Sequence, residues 1–363
     1  NASTSAALTQ IVNQAPSAIT GAATVTFPIA TPTSSTYTAT GFPAPTFALS
    51  GCPTLPAAIT LSSAGVLSGT APVGSGGTYS CTVTASNGIG SPTTLPITIN
   101  INLAPSFTSA NTTTFVVGTS GSFAVTANGS PAPTFSTVSP LPGGVTLTLG
   151  GSLTGTPNAG TGGSYPLSIV ATNGVAPDAT QSFTLLVNQA PTIGAIGSIS
   201  FTVGVAASNA FSTTGFPAPT NTLSGCTLPA GLTLSGNTIG GTASVGATSA
   251  TGCVVTASNA AGSASTAPFN VTISQPPTIT SGNSLTCLVG TPCSLSVTAT
   301  GTPTPTLSLT GALPSGITFT AGTGALGGTA AATTGGTYAL TIGAANGVGS
   351  NATQSFTLNV NEA

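Results

Sequence analysis

The chain has 363 residues and only two that are charged at neutral pH, Asp178 and Glu362; Lys, Arg, His, Met and Trp are absent. An ordinary globular chain of this length carries on the order of 90 charged residues. Phosphate recognition rests on Lys and Arg, so nucleic acid is excluded as a partner, and no apolar run reaches the roughly 18 residues of a membrane-spanning helix.

Gly (48) and Pro (29) are abundant, yet 39% of residues are hydrophobic and Thr, Val and Ile recur in alternating runs. That composition belongs to a folded, β-rich chain and not to a disordered one. Without Lys or Arg no basic n-region of a secretory leader can exist. If the chain is exported, its signal has been removed or lies outside these residues.

In chain order, residues 1–13 (NASTSAALTQIVN) run into QAP as QSFTLLVN does before Gln189. Leu8 and Val12 take the places of Phe183 and Val187, with Gln10 in the place of Leu185. The pattern predicts a last strand separated from its domain. Two uses are open: it completes a neighbouring subunit by strand exchange, or it ends a preceding domain of a longer array. The last repeat keeps its own final strand at residues 354–360, and Asn361-Glu362-Ala363 reads as one more linker. The longer array is the expectation.

From residue 14 onward the chain repeats. The strings QAP (14–16), LAP (103–105), QAP (189–191) and QPP (275–277) lie 89, 86 and 86 residues apart. They divide it into domains at 14–102, 103–188, 189–274 and 275–363, each of a size that folds alone. Every repeat carries one copy of a second string: GFPAPT at 41–46, GSPAPT at 129–134, GFPAPT at 215–220 and GTPTPT at 301–306. It is read as a corner between two strands, with Gly for conformational freedom and paired Pro to stiffen it. A Leu-Pro pair follows (Leu55, Leu141, Leu228, Leu313).

The period-2 pattern is strongest near the end of each repeat. Tyr79, Cys81, Val83 and Ala85 alternate with Ser80, Thr82 and Thr84, and the second and fourth repeats match with Tyr165, Leu167, Ile169, Ala171 and Tyr338, Leu340, Ile342, Ala344. One face of that strand points into a core. Asn-Gly at 87–88, 173–174 and 346–347 then predicts a hairpin turn, since both residue types tolerate positive φ. Short strands separated by Gly, Pro and Asn turns indicate sandwiches or barrels.

The run GxPxPT, LPxGxT, GxLxGTP, GTGGTYxLxIxAxNG resembles the immunoglobulin-like domains found in tandem on bacterial surface and secreted proteins. The second repeat shows it best, at residues 141–146, 151–157 and 160–174; the fourth is close at 313–318 and 335–347. The resemblance implies an all-β fold of four tandem immunoglobulin-like β-sandwiches arranged as a rod, preceded by one extra N-terminal strand. At about 3.3 Å per strand residue each domain would be roughly 35–40 Å long. Tyr79, Tyr165 and Tyr338 lie two residues before the inward Cys or Leu, where such sandwiches place a tyrosine corner. The third repeat has Thr251 there instead.

Six cysteines in an export-like composition read as structural disulfides. Cys52 and Cys81 lie in the first repeat, Cys226 and Cys253 in equivalent places of the third. Cys287 and Cys293 would clip a hairpin early in the fourth. A thiolate metal site is the alternative, but no His completes a zinc set. Five Asn-x-Ser/Thr triplets, at Asn1, Asn111, Asn128, Asn270 and Asn351, are candidate N-glycosylation sites, although a Thr-rich chain also produces such triplets by chance.

Catalysis finds no footing. Acid–base chemistry needs His, Lys, a tuned Cys or a carboxylate pair, and Asp178 and Glu362 are 184 residues apart. No cofactor is expected. The sequence reading is a non-catalytic structural component of an extracellular or cell-surface fibre, self-associating because near-zero net charge favours contact, with glycans as a further partner. The alternative is an adhesin stalk or carbohydrate-binding array whose recognition domain lies elsewhere. A binder should show one divergent repeat with exposed aromatic loops, and none stands out from sequence.

Overall fold

The computed structural model describes residues 7–362. The chain falls into two compact halves, Asn1–Asn188 and Gln189–Ala363. Every regular element among the described residues is a strand.

The same two-sheet unit is built four times. In the second repeat, strand Thr112–Val116 runs parallel to Ala179–Ile193, which pairs with Gly163–Thr172, which pairs with Thr134–Thr137. The facing sheet is Gly121–Ala124, Ser152–Gly155 and Val145–Leu147. The other repeats keep this order: Thr24–Pro28, Thr93–Phe107, Gly77–Ser86, Thr46–Ser50 in the first, and Ser284–Leu288, Ala352–Asn361, Gly336–Ala345, Thr306–Thr310 in the fourth. The third adds a short strand, Gly262–Ser265, beside Ala250–Asn259.

Alternation decides which side chains enter the core. Strand Gly163–Thr172 turns Leu167, Ile169 and Ala171 inward, against Phe183, Leu185 and Val187 of its neighbour. Each repeat has one such cluster, and Leu67, Leu153, Ile239 and Leu326 stand at its centre with at most 1% exposure. Burying a side chain of this size is worth about 1.5–3 kcal/mol. Each of these four residues belongs to a G-x-L/I-x-G-like string whose closing glycine has an explanation. Gly69, Gly155, Gly241 and Gly328 hold φ of 158°, 147°, 141° and 144°. A Cβ at any of them would collide with a main-chain oxygen of the neighbouring strand, from Ala58, Gly144, Gly231 and Gly316.

The final strand of a repeat does not stop at the linker. Thr93–Phe107 pairs with Gly77–Ser86 as far as Ile101, and its tail from Leu103 to Phe107 pairs with Ala127–Ser130 of the following repeat. In the second half Phe269–Ile279 does the same, its Gln275–Ile279 stretch pairing with Ala299–Thr302. Residues 189–193, at the end of Ala179–Ile193, pair with Thr213–Phe216. The linker strings at 103–105, 189–191 and 275–277 are therefore strand, each pairing with the repeat that follows it, while the first makes one isolated bridge, Gln14 with Phe42.

Three expectations need correction. Residues 7–13 form no strand: Leu8, Ile11 and Val12 are 94%, 67% and 72% exposed. A strand of that pattern needs a ladder partner, and among the described residues no strand pairs with it. Asn1 lies outside the described residues. Cys287 and Cys293 do not clip a hairpin. Cys287 sits on Ser284–Leu288, in one sheet, and Cys293 on Pro292–Ser296, in the facing sheet. The three-residue connection, 289–291, turns the chain from one layer to the other, and the bridge spans that corner. Finally, Asn-Gly opens the expected hairpins, but not because both residues take positive φ. The loops run from residue 87 to 92 and 173 to 178, and only the glycine has positive φ.

Candidate functional site

The joint at the start of each repeat is the most regular polar arrangement in the molecule. In the first, the Asn87 Nδ2 donates to the main-chain oxygens of Gln14 and Pro43, each at 2.8 Å. Its Oδ1 accepts from the Ile89 N–H at 3.1 Å. Asn173 bonds Leu103 and Pro131 oxygens at 2.9 and 2.7 Å and accepts from Val175 at 3.1 Å. Asn259 bonds Gln189 and Pro217, both at 2.8 Å, and accepts from Ala261 at 2.9 Å. Asn346 bonds Gln275 and Pro303, both at 2.8 Å, and accepts from Val348 at 3.1 Å.

One amide thus ties three points separated in sequence: the incoming linker, the proline corner and the loop after the penultimate strand. Both amide hydrogens and one lone pair are used, which is nearly all an asparagine can offer. The linker and the corner are also joined directly, since Gln14 and Phe42 exchange main-chain hydrogen bonds at 2.8 and 3.0 Å.

This geometry explains the GxPxPT string better than turn chemistry does. The peptide bond before the first proline is cis in all four copies, at Phe42-Pro43, Ser130-Pro131, Phe216-Pro217 and Thr302-Pro303. The first proline presents its oxygen to the asparagine. Only Gly215, of the four string glycines, has positive φ, so conformational freedom is not the common reason for glycine. Space is. A Cβ on Gly129 would lie 3.0 Å from Asn173 Nδ2 and 2.6 Å from Pro133 Cγ; on Gly301, 2.9 Å from both Asn346 Nδ2 and Pro305 Cγ. On Gly41 the distances are 3.0 Å to Asn87 Nδ2 and 3.1 Å to Pro45 Cγ. The second proline and the asparagine amide fill the place of the missing side chain.

Among the other sequence candidates, the structure joins Cys52 to Cys81, Cys226 to Cys253 and Cys287 to Cys293, with Cα atoms 4.9, 4.8 and 5.5 Å apart. Tyr79, Tyr165 and Tyr338 each donate to an oxygen four residues upstream, on Ser75, Thr161 and Thr334, at 2.8–2.9 Å. Tyr37 is fully buried, donates to the Ala22 oxygen at 2.9 Å and has its phenol pushed up by burial. Asn111, Asn128, Asn270 and Asn351 are exposed. Among the described residues no group of three or more His, Cys, Asp and Glu could hold a metal, and no helix is long and apolar enough to cross a membrane.

The family model described as "Putative Ig domain" matches residues 8–102 and 276–361. The first and fourth repeats belong to that family, and the chain is a tandem Ig-domain protein. The second and third repeats share the strand order of the first and fourth. Similar solved structures include Sidekick-1 immunoglobulin domains 1–4 (18% identity, covering 96% of this chain and 99% of that one, TM-score 0.38). The titin I-band fragment I67–I69 gives 18%, 72% and 99% with a TM-score of 0.45. The insect immune protein hemolin gives 14%, 97% and 100% with 0.35. Likeness at this level says nothing about partners. No curated protein gives a significant sequence match.

Proposed function

We propose that this tandem Ig-domain chain is a non-catalytic structural segment of an extracellular or cell-surface fibre. One observation carries the reading: the most elaborate polar site, repeated four times, is spent on tying each incoming linker to the body of its own repeat. The surface supports it, since hydroxyl and amide groups without Lys or Arg offer trypsin-like proteases no cleavage site and suit an exposed, long-lived polymer. The disulfides belong to an oxidising compartment. Electron microscopy of the native material tests the reading. Continuous ordered filaments are expected; single rods without assembly would leave only a stalk.

A binding module is the second reading, favoured by a cleft in the third Ig domain. Its volume is about 270 Å³ and its lining includes Ile196, Ser198, Ile199, Asn209, Phe211 and Ile239. Phe123 and Leu295 stand opposite the central Leu153 and Leu326, whereas the third domain places Asn209 opposite Ile239 and the first places Ser35 opposite Leu67. Its strand Ala206–Ala210 is exposed throughout. The third repeat also differs in its added strand Gly262–Ser265 and in Thr251 at the place of the corner tyrosine. Titration with neutral saccharides tests this reading, with heat or chemical-shift change confined to Asn209 and Phe211 as the positive result.

A further inference from the structure

We propose that Asn87, Asn173 and Asn346 are deamidation sites guarded by the joints they close, so that each opening of a joint can be recorded chemically and irreversibly. Each is followed by glycine, at Gly88, Gly174 and Gly347, whereas Asn259 is followed by Ala260.

The reaction is hydrolytic. The main-chain nitrogen of the glycine attacks Cγ of the preceding asparagine, the Cγ–Nδ2 bond breaks, and ammonia leaves with the proton taken from the glycine nitrogen. The resulting succinimide is opened by solvent water at either carbonyl, giving aspartate or isoaspartate. No oxidant or reductant takes part. Glycine favours the attack because no Cβ shields its nitrogen; the methyl of Ala260 hinders it.

In the closed joint that attack is blocked. Cγ must swing toward the next nitrogen, but Nδ2 is held by two main-chain oxygens at 2.7–2.9 Å and Oδ1 by the N–H two residues on, at 3.1 Å. All three bonds must be lost or strained first. After reaction the place of the amide holds a carboxylate, which cannot donate to either oxygen. A negative charge then faces two carbonyl oxygens in a chain that otherwise carries two charges. The joint cannot close as before.

Asn128-Gly129 supplies an internal contrast. Asn128 is exposed on Ala127–Ser130, at an irregularity of the ladder, and its side chain is held by none of these bonds. The sequence alone would rank it with the other three.

The test uses the full chain, incubated in mildly alkaline buffer with and without denaturant, then cut with pepsin and read by mass spectrometry. In denaturant, Asn87, Asn128, Asn173 and Asn346 should all convert quickly and Asn259 slowly. In the folded chain the three guarded sites should slow by about a hundredfold, the factor that three hydrogen bonds impose on opening, and Asn128 by much less. Ala260→Gly should bring Asn259 to the fast rate in denaturant while the folded chain stays slow. Hydrogen exchange on Asn173→Asp should show residues 103–107 and 129–131 losing protection. Guarded sites that react in the folded chain at the denatured rate would overturn the proposal, as would unchanged exchange at the joint of Asn173→Asp.

Discussion

Removing the Asn87 side chain with Asn87→Ala isolates what one joint is worth. Three hydrogen bonds are lost, to Gln14 and Pro43 oxygens and from Ile89 N–H. Each contributes about 0.5–1.5 kcal/mol net. The loss is not uniform. The Gln14 oxygen keeps the Phe42 N–H at 3.0 Å, and the exposed Pro43 oxygen can turn to water. A total of about 2 kcal/mol follows from these bonds, or a fall of about 8–16 °C for a domain of this size. Calorimetry of the full chain should show one transition moved down and the others in place, because sites far apart act independently. A shift of the first domain below about 0.5 kcal/mol, the ordinary scatter of surface substitutions, would refute the assignment of the joint as a structural site.

Gly129→Ala should cost about 1–3 kcal/mol of second-domain stability in urea unfolding, since the added carbon meets Pro133 Cγ at 2.6 Å and Asn173 Nδ2 at 3.0 Å. Gly155→Ala should cost more, because it combines φ of 147° with a main-chain oxygen that cannot step aside. Reduction should destabilise the first and third domains by about 3.5 kcal/mol each and the fourth by about 2.4, following the lengths of the closed loops; the second domain, which has no cysteine, should keep its transition. Alkaline stability tests Tyr37. Its folded pKa is raised above 10.0 by burial, so the folded state holds the proton more tightly than the unfolded one. That contribution is intact below pH 10.0 and falls as pH rises from there toward the folded value. Tyr37→Phe should flatten the alkaline decline measured by denaturant titration, and an unchanged slope would count against the buried phenol.

The repeat and its strands were legible because they rest on local rules. A Gly that must leave room and an apolar residue on every second position are visible in any single copy, as at Gly155 and Leu153. The joint was not legible. Asn87 touches residues 73 and 44 positions away, and Asn-Gly in a polar loop reads as turn chemistry whichever role it plays. A signal was nevertheless present. The third repeat keeps Asn259 but replaces the following Gly with Ala260, so the asparagine persists where the turn reading no longer needs it. The same limit explains residues 7–13, where pattern announces a strand but pairing requires a partner the pattern does not name. It also explains Cys287 and Cys293, since six residues of sequence separation fit a hairpin and an inter-sheet corner equally well. The cleft of the third domain escaped notice because a strand of small residues, AASNA, signals nothing until its register against Ile239 is known.

Hydrogen exchange on the intact, disulfide-bonded chain, read by pepsin digestion and mass spectrometry, tests most directly whether the repeated joint is a structural element. The amides of Gln14 and Phe42, which bond across the first joint, and the residues paired with Leu103, Gln189 and Gln275 should exchange as slowly as the sandwich strands that flank them. Exchange at these positions as fast as at the exposed loops around Val73 and Val245 would mean that the joints are open linkers, and the account of the joint as a structural element of each repeat would fail.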